Sequence, residues 1–265
     1  MPERIMLLSA GRMLMMQMAH PAVSAGVQQH SAYRSDPWKR VRYTTDFYLQ
    51  LVHARSSDVL PLRKKLQATH SHIAGQTEQG VKYHALDPQL QLWVQTTLSD
   101  SVLWFWQHSF GPLSAADLGR YWAEQRILAL ACGIPAEVIP ASLEEWQAYI
   151  DTQCEALSIN QGAIQLWSML EEMPKQGPNR VNAKLWKLIR RPTGRIAKYF
   201  TIAGLPSQLR EQLQISWTVR QQRAARRRLR ALGYLVKLLP PEMRYSTRAR
   251  HAQAAAKPLA VKSNW

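Results

Sequence analysis

A chain of 265 residues that is 46% hydrophobic can bury a core of ordinary size, which excludes an intrinsically disordered protein. Its net charge of +16 is carried at one end: residues 1–174 hold 13 Lys and Arg against 16 Asp and Glu, a balance of −3, whereas residues 175–265 hold 21 against 2, a balance of +19. Two cysteines, Cys132 and Cys154, allow at most one disulfide and exclude a Cys-x-x-Cys zinc or redox motif, and no apolar run is long enough to span a bilayer, so a reducing cytoplasmic setting is expected.

From Arg4 to Met18, the positions Leu8, Met15 and Met18 recur at helical spacing beside Met16 and predict a buried helix with methionines filling its surroundings. Met6-Leu-Leu-Ser-Ala is too short a core for a cleaved signal, and Gly11-Arg12 interrupts it. Pro21 suits the first turn of a new helix, which predicts a break at His20-Pro21. Asp36-Pro37 predicts a cap and first turn for a helix over Trp38 to Arg55, on which Arg40 and Thr44, four apart, share a face. A helix follows from Asp58 or Pro61 to about His72, ending towards Gly75, and Gln76 to Lys82 reads as a loop.

Asp87-Pro88 repeats the cap device for a long central helix over Gln89 to Phe110, with Leu90, Trp93, Val94, Thr97, Leu98, Ser101 and Val102 on a broad face. Ser114 starts a helix through Cys132, stopped by Gly133 and Pro135, and Ser142-Leu-Glu-Glu145 is a capping box for a helix to about Leu157. Pro174 to Asn179 reads as an exposed turn. Shorter helices are expected around Lys184 to Arg190, Gly194 to Ala203 and Ser207 to Leu213. A basic helix over Trp217 to Leu239 then ends at Pro240-Pro241. No two-residue alternation is sustained, so strands are expected to be few or absent. The fold expected is all-α, one multi-helix domain over residues 1–265 in which residues 175–265 form a basic C-terminal part.

Di-iron Glu-x-x-His pairs, His-Glu-x-x-His, a P-loop, a dinucleotide fingerprint and a nucleophile elbow are all missing. Glu144-Glu145 and Glu171-Glu172 are neighbours in sequence and point to different sides of a helix, as capping or solvated carboxylates do. What remains is histidine and arginine on helices. His70 and His72, two apart, cannot both face one site. A single imidazole specifies no metal geometry unless the metal is haem iron, whose porphyrin supplies four more nitrogens. Beside such a group an arginine can hold a propionate and a threonine hydroxyl can hydrogen-bond oxygen.

Several stretches together resemble one family. They are Gln17-Met-Ala-His-Pro-Ala-Val-Ser-Ala-Gly-Val-Gln-Gln-His-Ser, Arg34-Ser-Asp-Pro, Arg40-Val-Arg-Tyr-Thr44-Thr-Asp-Phe, His70-Ser-His-Ile-Ala-Gly75, Tyr83-His-Ala-Leu-Asp-Pro and Leu92-Trp-Val-Gln-Thr. The likeness is to the rubber-oxygenase catalytic domain family, which includes latex-clearing protein and the oxygenase of mycophenolic-acid biosynthesis. It continues through Gly111-Pro-Leu-Ser, Leu143-Glu-Glu-Trp and Leu239-Pro-Pro-Glu-Met-Arg244. The resemblance implies an all-helical domain with a pocket for non-covalently bound haem b that uses dioxygen on a hydrophobic, isoprenoid or lipid-like substrate. It implies a proximal iron ligand at His70, with His72 as the alternative, and the family's Arg-x-x-x-Thr element at Arg40 and Thr44.

This sequence departs from the family pattern in three places. Tyr43 stands where rubber-cleaving members place a distal lysine, Ser24, Gln28 and Gln29 occupy the region of their catalytic glutamate, and Gln95 stands where many relatives carry histidine. The expected function is therefore a haem-dependent oxygenase with an open substrate. The alternatives are a haem-binding relative without oxygen chemistry and a non-enzymatic basic helical module on anionic lipid or nucleic acid. The +19 region reads as a solvated helix face, with peripheral contact on an anionic membrane as the functional alternative and nucleic acid the less favoured partner.

Overall fold

A computed structural model describes residues 4–178, 181–245, 247 and 250. A 3-10 segment, Arg4–Ser9, leads into α1 (Ala10–Met18), and the chain breaks at His20, whose extended backbone (φ −84°, ψ 120°) hands over to Pro21 at the first turn of α2 (Pro21–His30). The predicted N-terminal helix is thus α-helical only from Ala10. The methionines are core: Met15 and Met16 are fully buried, packed with Trp93, Leu166 and Leu209.

Asp36 caps α3 (Pro37–Val52) by accepting from Lys39 N at 2.9 Å. In α4 (Ser56–His70) the Asp58 carboxylate accepts from Arg55 N, which explains a start two residues before the earliest one expected, with Pro61 inside the helix. The stretch expected to be a loop, Gln76 to Lys82, is the connection of a small hairpin, its two end residues belonging to the strands. β1 (Ala74–Gln76) pairs antiparallel with β2 (Lys82–His84), Gly75 opposite Tyr83, around a turn that Gly80 closes at φ +78°. Thr77 holds that turn, its hydroxyl accepting from Gln79 N and Val81 N.

Asp87 caps α5 (Pro88–Phe110), the long central helix expected, but it is buried on every side rather than on one face. Small hydroxyl residues make this feasible: Thr96, Thr97, Ser99 and Ser101 are buried, and each of the last three meets a partner. Thr97 accepts from Gln17 at 2.9 Å, Ser101 from Arg12 at 2.7 Å, and Ser99 donates to Gln125 at 2.6 Å. Next come α6 (Ala115–Cys132), stopped by Gly133 at φ +97°, and α7 (Leu143–Ala156), capped by Ser142. The two pack through Trp122 and Trp146, stacked 5.0 Å apart.

Helix α8 (Gln161–Glu172), capped by Asn160, was not expected from the sequence. A single helix, α9 (Ala183–Gly204), replaces the two pieces expected there and runs straight through Pro192. Then follow α10 (Ser207–Gln212), α11 (Val219–Lys237) and α12 (Pro241–Arg244). Helix α1 packs against α2, α5, α8 and α9, and α11 docks along α5. The architecture is all-α, as expected, and the hairpin is the only sheet among the described residues. No helix among the described residues is long and apolar enough to cross a membrane.

Candidate functional site

The site region is built from α2, α3, α4 and the hairpin. The hairpin is tied to the end of α2: Gln29 donates to Gln76 O at 2.9 Å and accepts from the Tyr83 hydroxyl at 2.7 Å, and His30 donates to Ala74 O at 3.1 Å. Gly75 lies so near Gln29 and Tyr83 that a Cβ there would overlap both side chains. His84 donates to Ser71 O and accepts from Leu86 N. These contacts pin the C-terminal end of α4, and with it His70. Several residues quoted for the family likeness, Gln29, His30, Gly75 and Tyr83, therefore act as a clip.

His70 is half-buried at the last position of α4, and its Nδ1 lies 2.8 Å from Leu66 O. A carbonyl only accepts, so Nδ1 carries the proton and Nε2 keeps its lone pair. Burial lowers the pKa of His70 from its ordinary value, against the opposing hydrogen bond to Leu66, and the charges of Arg40 and His72 lower it further. The ring is thus neutral at neutral pH. His72 lies past the helix end and is exposed.

Arg40 and Thr44 stand one turn apart on α3, in a stretch, residues 39–44, that is exposed throughout. Surrounding protein depresses the basicity of Arg40 by desolvation, with Tyr43 opposing. Because solvent reaches the side chain, we assign it a full charge at neutral pH. That charge bears on His70, so the structure sets these two residues in one electrostatic neighbourhood. Lys65 of α4 lies 5.7 Å from the centre of the Tyr43 ring and bridges α3 to α4.

Both helices hold apolar side chains away from the core. Helix α4 buries no residue outright and α3 only Leu51, while Val41, Tyr43, Val52 and Leu60 are exposed. The two rest on α6, where Arg63 covers Gly133 and Tyr48 and Cys132 bear on each other electrostatically. Hollows of about 240 and 320 Å³ lie at the α5–α11 and α9–α11 seams, and neither is lined by His70, Arg40 or Thr44.

His20 belongs to the quoted motif but received no role from the sequence. Its Nδ1 is buried without a hydrogen-bond partner among the described residues, and its ring lies 6.4 Å from that of Trp93. An unsatisfied nitrogen at a helix break is a signal that only coordinates could reveal.

The region of the absent glutamate is occupied by structural bonds. Ser24 donates to Asn160 at 2.7 Å and accepts from Gln28, and Asn160 donates to Met18 O. Gln95 is buried and donates to Ser99. Both cysteines are free thiols whose pKa burial raises to about 11, so neither is a thiolate nucleophile. Among the described residues no three His, Cys, Asp or Glu gather as a metal site. A haem needs one axial imidazole, which the free Nε2 of His70 fits.

Burial also lowers the pKa of His20 and His108, as it does that of His70. For a histidine depressed in the folded state, the unfolded chain binds the proton first as pH falls. Their contribution is therefore intact above the ordinary value of 6.5 and is lost as pH falls below it towards the depressed values. Thermal melts in mildly acidic buffer are expected to fall below those at neutral pH, and His108→Gln should flatten that dependence.

The family whose model matches residues 1–238 is described as "ER-bound oxygenase mpaB/B'/Rubber oxygenase, catalytic domain". The chain belongs to this family, whose shared domain is an oxygenase catalytic domain. Among its relatives are the uncharacterized protein Mb2261 of Mycobacterium bovis and the uncharacterized protein Rv2237 of Mycobacterium tuberculosis. Each is 25% identical over 240 residues, spanning 89% of this chain and 90% of the relative. No solved structure matches the chain.

Proposed function

We propose that this protein is a haem b-dependent oxygenase acting with dioxygen on a hydrophobic substrate. The observation that carries the reading is the state of His70: its Nδ1 proton is committed to Leu66 O, its Nε2 is unprotonated, and burial keeps it so. Metal-ligating histidines are oriented in this way by a bond from the other ring nitrogen. When bound, the haem would supply the redox chemistry that activates dioxygen.

The chain's own residues would do the rest. His70 holds the group through Nε2, and the charge of Arg40 suits a propionate carboxylate. The Thr44 hydroxyl, one turn along α3, offers a hydrogen bond to an oxygen atom. The exposed apolar side chains of α3 and α4 would exclude water once covered by a flat apolar ligand. Exposure of His72 beyond the helix makes it the weaker ligand candidate.

A second reading, a haem-binding relative without oxygenase turnover, is favoured by Tyr43 and Gln95 at positions where relatives carry lysine and histidine. Titration with haemin separates these readings from a colourless binding module. Wild-type protein and His72→Ala are expected to develop an intense near-ultraviolet band at one equivalent, while His70→Ala, folded by circular dichroism, does not. Consumption of dioxygen by the loaded protein with a lipid-like alkene then separates oxygenase from haem carrier. No band in the wild type would overturn both.

A further inference from the structure

Helix α11 holds seven arginines and lysines and no acidic residue. It buries only the row Ala225, Leu229 and Gly233 against the body, so most of its circumference faces outward. That outward surface divides in two. Midway along the helix Arg226 and Arg230, one turn apart, line a hollow of about 240 Å³ together with Gln107, His108 and Pro112 of the α5 end. The groups that bear on His108 there are the charges of Arg226, Arg12 and Arg230, all of one sign. The C-terminal end is apolar and open: Leu238 is 82% exposed and Leu235 61%, with Leu7 and Met243 also exposed on segments that pack together beside it.

We propose that this surface docks the protein peripherally on an anionic phospholipid bilayer. Arg226 and Arg230 would take headgroup phosphates at the hollow, and Leu235 and Leu238 would enter the headgroup–acyl boundary. A strongly basic helix that ends in exposed apolar side chains can meet a bilayer surface with both, the charges at the headgroups and the apolar end at the acyl boundary. Lys237 fits the junction, since its ammonium lies 5.5 and 5.9 Å from the ring centres of Phe110 and Tyr234. Charge complementarity selects the occupant. A second copy of this chain would set like charges face to face, and nucleic acid would leave the leucines in water. The inference stands independently of haem binding.

The test is co-sedimentation of the full chain with phosphatidylcholine vesicles, with and without phosphatidylglycerol, at low and high salt. The wild type is expected to bind only the phosphatidylglycerol vesicles, and more weakly in high salt. Removing two charges in Arg226→Gln/Arg230→Gln should weaken binding on the order of 30-fold. Leu235→Ser/Leu238→Ser should also weaken it severalfold, with both variants folded by circular dichroism. Excess inorganic phosphate should not release the wild type.

Equal binding to neutral vesicles, no binding to either, or full release by phosphate would overturn the proposal. So would duplex DNA binding that the leucine variant retains while vesicle binding is absent. A concentration-dependent dimer that the leucine variant abolishes, without vesicle binding, would assign the surface to self-association instead.

Discussion

Replacing Arg12 by leucine is expected to cost about 3–5 kcal/mol of stability, because it strands a largely buried carboxylate. Arg12 crosses the centre of the molecule: its Nε donates to Gly204 O at 2.6 Å, one terminal nitrogen donates to Ser101, and the other meets Asp100 at 2.5 Å in an ion contact without hydrogen-bond geometry. The side chains of the pair are 7% and 18% exposed, so water screens them little. One side chain thereby joins α1, α5 and the end of α9. For a chain of this size the loss corresponds to a fall in melting temperature on the order of 10 °C. Arg12→Leu/Asp100→Leu should recover part of that loss, since the stranded charge is gone. If the double variant melts lower than the single one, the Asp100 carboxylate is not stranded by the loss of Arg12 and the stated cause of the destabilisation is wrong.

The seam between α11 and α5 should respond comparably to a single added side chain. Gly233 faces the backbone of Ser109 so closely that a Cβ would overlap the Ser109 carbonyl, and backbone cannot step aside as a side chain tip can. Gly233→Val is expected to destabilise by about 3 kcal/mol, the upper range for overpacking. Hydrogen exchange should show protection lost in α11 before α1 or α8. Unchanged stability would mean that α11 shifts along α5 at little cost. The +19 C-terminal part would then be a weakly held appendage rather than part of the common core.

Local signals with a single physical cause were legible in the sequence. Asp36-Pro37 and Asp87-Pro88 mark helix starts because a short carboxylate accepts the first free N–H groups and proline lacks one, and both carboxylates do accept such groups here. The methionine stripe of α1 is core, and Glu145 and Glu171 serve as capping and ion-pair carboxylates, bonding Ala141 N and Lys198.

Other features depended on what lies alongside. Two pieces are expected from the sequence, around Lys184 to Arg190 and Gly194 to Ala203, yet α9 continues through Pro192 between them. The proline deprives only the Leu188 carbonyl of a donor, on a face where Leu188 and Pro192 are both exposed and water can serve. The hairpin was hidden because its turn lacks Asn-Gly and relies on Thr77 and Gly80. Helix α8 was missed although Asn160 caps it, since that cap is also fixed by Ser24 and Met18 from far along the chain.

The same division holds for the candidate site. The sequence placed Arg40 and Thr44 on one helix face and His70 at a helix end, and the structure agrees. The resemblance gives His70 first and His72 as the alternative, and the carbonyl of Leu66, one turn back, decides which ring nitrogen of His70 keeps its lone pair. That the quoted glycine and glutamine residues secure the hairpin to α2 was likewise a tertiary fact.

A cavity variant tests the proposed role of His70 most directly. His70→Gly removes the ring and leaves its space, so His70→Gly mixed with one equivalent of haemin is expected to lack the wild-type spectrum and to gain it when free imidazole is added. Restoration by imidazole, with none by an equal concentration of a non-ligating buffer, is the predicted result. A spectrum identical to wild type before imidazole is added would contradict the assignment of His70.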